Sequence, residues 1–322
     1  MPLLLLVIGV TLLLLGGTLL VRGASGIASS FNVPTMVIGL TVVYFGTSTP
    51  ELVVNVTGAL RGETELAFGN AVGSNLANFG LVLGLAALLS PIYLQGQVVR
   101  REVPFLLLVT AILMVMAADA PLSGTTPLLD RGDAIILFLL FTVFVYFMVR
   151  DVVLEKGDPV FLEAEQFPAA GLKSNVLVNV ALTLLGMVLL VVGGTMTIDQ
   201  GSVLAVMFDI PEVVVGIFIV AVGTSLPELA TSAVAAYKKE TDLALGNIVG
   251  SNIFNSLVVL PAAGIIRHIP IPKGGDLDLA VGFAFVLVVI TLFIFSNARL
   301  GRLAGAALLS TYLIYMVYRF TS

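Results

Sequence analysis

Two glutamates, Glu51 and Glu228, stand inside long apolar runs, each directly after a proline and each within the same frame, Gly-Thr-Ser-x-Pro-Glu-Leu. An ionised acid near the middle of a membrane helix costs about 2.5–3.5 kcal/mol on insertion scales, so each is by default a candidate functional residue. Brought face to face at mid-depth the two would repel, unless a cation or protons came between them. The prolines, Pro50 and Pro227, carry no backbone N–H, so the carbonyls of Gly46 and Gly223 are expected to lose their helical partners. Thr47, Ser48, Thr224 and Ser225 add hydroxyl oxygens beside that break. Irregular backbone at membrane depth is tolerated only where it is buried in protein or lines a water-filled cavity. Downstream of each glutamate, Asn70, Ser74 and Asn78, and likewise Asn247, Ser251 and Asn255, recur every fourth residue and so share one helix face. That stripe is expected to face the carboxylates. Asn75 and Asn252 fall off it and suit interhelical hydrogen bonds, while the Gly69/Gly73 and Gly246/Gly250 spacings suit close helix approach.

This inventory is made of oxygen. There is no Cys and one His, which excludes thiolate sites, nucleophilic Cys chemistry and a His-rich zinc or iron centre. Calcium takes 6–8 oxygen ligands in flexible geometry, whereas magnesium keeps its waters and transition metals favour His or Cys. Calcium fits best. Two carboxylates neutralise one divalent ion, two monovalent ions replace it without net charge, and any further sodium makes the exchange electrogenic. Sodium and protons are both admissible as the exchanged ion.

The elements that must hold these residues are membrane helices. Of 322 residues 58% are hydrophobic and only 11% charged, against about 25% charged in soluble domains. Apolar runs long enough to cross the hydrocarbon core predict an all-α membrane protein with ten spans, near 2–21, 33–60, 66–90, 102–118, 132–149, 174–197, 210–237, 243–266, 279–296 and 303–320. The first reads as an uncleaved span, since it lacks a basic leader and a cleavage site. Odd-numbered loops carry ten basic residues and the other side five, Arg61, Arg131, Arg267, Lys273 and Arg319. The positive-inside rule then puts both termini outside a plasma membrane or cell inner membrane. A net charge of −5 gives no reason to expect a nucleic-acid partner.

The chain also repeats itself. Gly46–Asn78 and Gly223–Asn255 align without a gap at an offset of 177, with 18 of 33 positions identical. The offset extends to Pro34 and Pro211, Gly39 and Gly216, and Gly16-Gly17-Thr18 and Gly193-Gly194-Thr195. The identities include Pro, Glu, Asn, Ser and Thr, which apolar composition does not place in register twice. Five spans separate equivalent points, so the second copy is expected upside down, the inverted-repeat plan of secondary transporters. The predicted units are a first five-helix repeat over 1–150, a cytoplasmic hinge loop over 151–173 and a second, inverted repeat over 174–322.

The residues GTSTPEL followed by GNAVGSNLAN, and GTSLPEL followed by GNIVGSNIFN, resemble the paired alpha-repeats of the cation/calcium exchanger superfamily, specifically its prokaryotic sodium/calcium exchanger branch. The resemblance implies an antiporter that exchanges calcium for sodium, with these two as transported ions and no organic cofactor. It implicates Thr47, Ser48, Glu51, Ser74 and Asn78 with Thr224, Ser225, Glu228, Ser251 and Asn255, and the carbonyls near Tyr44 and Ala221. Potassium-dependent relatives carry Asp where Asn255 stands, which speaks against potassium co-transport, and proton-coupled relatives are the other alternative.

Alternating access would place the ions between spans two, three, seven and eight, with spans one and six as a gate. A channel is a second class, marked by conductance without a counter-ion. An intramembrane enzyme has no motif support, since no HExxH occurs. Glu212 reads as an N-terminal helix charge, Asp119, Asp130, Asp133, Asp199 and Asp209 as solvated acids of the outer side, and His268 as exposed. No obligate protein partner is indicated.

Overall fold

The computed structural model describes residues 2–31, 42–62, 64–93, 101–118, 124, 126–154, 175–207, 221–295 and 299–321. Long helices dominate, as an apolar chain in lipid must satisfy its backbone hydrogen bonds internally. In chain order they are α1 (Pro2–Phe31), α2 (Tyr44–Thr47), α3 (Thr49–Arg61), α4 (Thr64–Ala77) and α5 (Gly84–Leu89), then α6 (Val103–Met116) and α7 (Arg131–Leu154). The second half holds α8 (Val176–Met207), α9 (Ala221–Thr224), α10 (Leu226–Tyr237), α11 (Thr241–Phe254), α12 (Leu260–Ile266), α13 (Gly275–Phe295) and α14 (Arg302–Thr321). Among the described residues six helical stretches are long and apolar enough to cross a membrane. The chain is a multi-pass membrane protein.

The element boundaries recur at the sequence offset. α2 and α9 start and stop at equivalent residues, as do α4 and α11, and each of the latter runs through a π-helical turn, Asn78–Leu83 or Asn255–Val259, into α5 or α12. Four two-residue strands follow the same logic: β1 (Ile92–Tyr93) pairs antiparallel with β4 (Arg299–Leu300), and β2 (Leu128–Leu129) with β3 (Ile269–Pro270). Strands β1 and β3 are themselves equivalent by the offset. Each half thus lends a strand to the other.

Two helices run further than the hydropathy reading, which stops near residues 21 and 197. α1 continues to Phe31 and α8 to Met207. A hydropathy window ends at Arg22 because the charge lowers its mean, but the backbone continues where the helix has something to pack on. α1 and α8 lie so close that a Cβ on Gly16 would stand 2.8 Å from the Leu190 nitrogen and one on Gly186 2.6 Å from the Leu20 nitrogen. The contact continues past Arg22, with Gly23 against Thr183 and Gly26 against Asn179. Small residues that admit backbone contact are how helices associate in lipid, where no hydrophobic drive separates them from the solvent.

The buried apolar side chains fall into two clusters. The larger ties α4 to α7 and α11 to α14 through residues such as Phe79, Leu106, Phe144, Phe254, Val289 and Tyr312. The smaller joins α1 and α8 to α10 and the start of α11 through Leu13, Leu20, Leu190, Ala230 and Leu243. The broken stretches α2–α3 and α9–α10 lie where these two bodies meet. Of the hinge expected over 151–173, residues 151–154 instead continue α7, because its helix runs on to Leu154, and residues 155–173, the expected starts of spans two and seven, and Asp119, Asp209 and Glu212 lie outside the described residues.

Candidate cation site

The frame Gly-Thr-Ser-x-Pro-Glu breaks the helix twice in the same way. Ser48 leaves helical geometry at φ −87°, ψ 8°, and Ser225 at φ −86°, ψ 5°, after which Pro50 and Pro227 enter the first turn of α3 and α10. Proline is tolerated there because first-turn N–H groups have no intrahelical acceptor. Each glutamate therefore sits in the first turn of a new half-helix, where the unpaired N–H groups and helix dipole favour negative charge by about 0.3–1 kcal/mol. That offsets only part of the cost of burial, since Glu51 and Glu228 are each 1% exposed. The Tyr44 carbonyl accepts the Ser48 N–H at 2.8 Å, and Thr47 Oγ1 lies 3.3 Å from it, farther than from its acceptor in the other half.

Around the carboxylates, hydrogen bonds cross between the halves. Thr47 Oγ1 donates to Asn247 Oδ1 at 3.1 Å, and its equivalent Thr224 donates to Asn70 Oδ1 at 3.1 Å. Behind them Asn70 Nδ2 donates to Asn55 Oδ1 at 2.7 Å, and Asn247 Nδ2 to Ser232 Oγ at 3.0 Å. This outer ring is two-fold symmetric in its bonding, and in sequence except where Ser232 stands for Asn55. Asn70 and Asn247 thus orient threonines through their amides, which departs from the expectation that the whole stripe faces the acids. Asn55 and Ser232 have no place in the sequence reading, although each lies four residues after its glutamate, one turn along the same face.

The inner ring is not symmetric. Ser48 Oγ donates to Glu228 Oε1 at 2.8 Å, and Ser251 Oγ lies 3.0 Å from Ser48 Oγ and 3.5 Å from the same carboxylate oxygen. Ser74 Oγ meets Thr224 Oγ1 at 3.4 Å. Glu51 Oε1 and Oε2, Glu228 Oε2, Asn78 Oδ1, Asn255 Oδ1 and Ser225 Oγ are all buried without a hydrogen-bond partner. An unpaired buried polar atom costs about 1–3 kcal/mol, more when charged, and the two carboxylates repel each other. The arrangement stores an unmet demand for positive charge. A hard cation bound by oxygen meets it, since the unpaired acceptors are carboxylate, amide and hydroxyl oxygens and the chain has no Cys.

The remaining expectations divide. Asn75 and Asn252 make interhelical contacts: Asn75 Nδ2 to Ser256 Oγ at 2.9 Å, Asn252 Nδ2 to the Asn75 carbonyl at 3.2 Å, and Asn78 Nδ2 to Asn252 Oδ1 at 2.8 Å. Gly250 packs under the Tyr44 ring, where a Cβ would come within 2.6 Å. Gly69 does not serve close approach, because a Cβ there would meet nothing within 4 Å. Ala221 opens α9, as Tyr44 opens α2. His268 and Asp199 are exposed. Asp130 and Asp133 are not merely solvated, for each side chain accepts the other's backbone N–H at the start of α7, at 2.9 and 3.0 Å.

A sequence profile described as "Sodium/calcium exchanger protein" matches residues 1–150 and 178–321. The chain is 35% identical to "Inner membrane protein YrbG" of Escherichia coli, over 97% of this chain and 94% of that protein. It is 28% identical to "Sodium/calcium exchanger MaX1" of Methanosarcina acetivorans, over 98% of each. Among solved structures it resembles the sodium-calcium exchanger NCX_Mj with a TM-score of 0.83 and 29% identity, covering 98% of both chains. The chain belongs to the sodium/calcium exchanger family.

Proposed function

We propose that the chain is a secondary antiporter that exchanges calcium for sodium across the plasma membrane by alternating access. The observation that carries this reading is the pair of glutamates buried at equivalent helix breaks, surrounded by oxygens that have no partner in the protein. The ligand set is Glu51 and Glu228, the hydroxyls of Thr47, Ser48, Ser74, Thr224, Ser225 and Ser251, the amides of Asn78 and Asn255, and the carbonyls of Tyr44 and Ala221. Calcium suits it because a flexible shell of 6–8 oxygens is what calcium accepts. With Asn at position 255 the set holds two acids. Their charge is matched by one calcium or two sodium ions, which couples departure of one to arrival of the other.

The architecture belonging to this mechanism is ten spans in two inverted five-helix repeats, 1–150 and 174–322, joined by the cytoplasmic segment 151–173, with both termini outside. The recurrence of element boundaries at the offset of 177, the exchange of strands between halves and the ten-to-five basic asymmetry support it. The moving part is the α1–α8 pair. Its two helices interlock through glycine, lie outside the larger apolar cluster and meet the broken helix α10 through small residues, Gly17 on Ala230 and Gly194 on Pro227.

The test is radiotracer calcium uptake into proteoliposomes under imposed sodium, potassium or proton gradients. The expected result is uptake driven by an outward sodium gradient alone. Uptake driven only by a pH gradient, or a conductance without any counter-ion, overturns the reading.

A further inference from the structure

A second polar feature lies in the same core, on the far side of α4 and α11 from the gate helices. Helices α4, α6, α11 and α13 and the π-turns that follow α4 and α11 line a partly open cavity with about 20 Å³ of room for the centre of a water molecule; one ordered water needs roughly 10–15 Å³ and two to four polar partners. Its wall is mostly apolar but carries the buried Asn252 and Ser256, the half-buried Asn75 and Thr110, and Asp278. Asn75 Oδ1 is buried without a partner. Ser256 Oγ accepts from Asn75 Nδ2, which leaves the serine hydroxyl hydrogen to donate elsewhere.

The chemistry of the wall selects the occupant. Asp278 is already matched by Arg319, whose Nε lies 2.9 Å away, and accepts the Tyr315 hydroxyl. With that charge neutralised and the other polar groups neutral, a second cation would be buried without a counter-charge. An apolar ligand would leave the Asn75 oxygen unpaired. Water satisfies both conditions.

We propose that this cavity is a water-binding chamber that backs the cation site. The link is short: Asn75 and Asn252 line the chamber, Asn252 Oδ1 accepts the Asn78 amide at 2.8 Å, and Asn78 Oδ1 is one of the unpartnered oxygens of the site. Asp278, with its side chain 16% exposed, puts the other end at the molecular surface. The cavity has room for one water, two at most, and so gives an ion shedding its hydration shell a place for one of those waters that does not pass the gate helices. The coupling to the ion rests on the exchanger reading above; the hydration of the chamber does not.

The experiment is hydroxyl-radical footprinting of the purified full chain by X-ray radiolysis, read by mass spectrometry at Phe79, which lines the chamber and is 1% exposed, against Phe144, which is 4% exposed and stacks on Phe105. Phe79 is expected to label at least fivefold faster than Phe144. Gly282 lines the chamber, and a Cβ there meets only Leu76 Cδ2 at 3.7 Å. Gly282→Val is expected to bring Phe79 down to the Phe144 rate and to slow calcium-for-sodium turnover severalfold, with the smaller Gly282→Ala intermediate in both. Equal labelling of the two phenylalanines in the unaltered chain overturns the chamber, and lost labelling with unchanged turnover overturns its coupling to the site. Calcium binding retained in Glu51→Gln sinks the exchanger reading and leaves the footprint of Phe79 unaffected.

Discussion

Replacing Glu51 by Gln removes a charge while keeping the shape, and its two consequences have opposite signs. Both Glu51 carboxylate oxygens are buried without a hydrogen-bond partner, and Glu228 repels the charge. In calcium the pair is compensated, and removing one partner of a buried ion pair costs about 3–5 kcal/mol. At about 1.4 kcal/mol per decade that is a loss of roughly 10²- to 10³-fold or more in calcium affinity. Without ions the charge is a liability, since it has neither water nor counter-ion, so the variant is expected to melt at a higher temperature than the unaltered chain. Isothermal titration with calcium in sodium-free detergent gives the first quantity, and thermal unfolding with and without calcium gives the second. Added calcium is expected to raise the melting temperature of the unaltered chain and to leave the variant where it was. A Glu51→Gln protein that binds calcium within threefold of the original, or that melts lower in the absence of ions, refutes the argument. A merely structural glutamate would give destabilisation under both conditions.

Protons compete with calcium for the same two carboxylates, so calcium affinity is expected to fall as pH drops and calcium binding to release protons, measurable by titration in buffers of different ionisation enthalpy. Gly16→Val is expected to separate α1 from α8, because even a Cβ at Gly16 would stand 2.8 Å from the Leu190 nitrogen; overpacking of this kind costs about 1–3 kcal/mol, read as a lowered melting temperature. Exchange is expected to fall further than stability does, since the interlocked pair is what moves.

The site was legible because its residues are the ones a bilayer rejects. Glu51, Glu228 and the Asn/Ser stripes stand out against an apolar background, and their repetition at one offset fixes which of them belong together. The break at Ser48 and Ser225 was legible from the prolines, for a missing N–H is a covalent fact. Other features were hidden for equally physical reasons. The run of α1 to Phe31 depends on Gly23 and Gly26 meeting Thr183 and Asn179, a contact between residues about 150 positions apart that no local window senses. Asn55 and Ser232 look like ordinary polar residues until their partners Asn70 and Asn247 are in place. The π-turns begin at Asn78 and Asn255, and such turns often mark functional sites, yet nothing in the local pattern distinguishes them from continued α-helix.

Sequence symmetry does not extend to the innermost bonds, and that difference is informative. The outer ring, Thr47 with Asn247 and Thr224 with Asn70, obeys the repeat. The inner contact does not: Ser48 donates to Glu228, while the hydroxyl of its equivalent Ser225 has no hydrogen-bond partner and the Glu51 carboxylate receives none. The same residue types stand at both positions, so the mirrored arrangement, with Ser225 on Glu51, would use the same chemistry and is expected to lie close in energy. Two packings of nearly equal energy are what a switching element requires. Ser48→Ala removes a hydrogen bond to a charged group, worth about 1.5–3 kcal/mol, from the arrangement seen here; Ser225→Ala removes its counterpart from the mirrored one. The two substitutions are therefore expected to move the ratio of apparent calcium affinities at the two membrane faces in opposite directions, each by roughly 10- to 100-fold, in right-side-out and inverted vesicles. Shifts of the same sign would mean that both serines serve one state, and that the asymmetry of the inner ring has nothing to do with which face the site opens to.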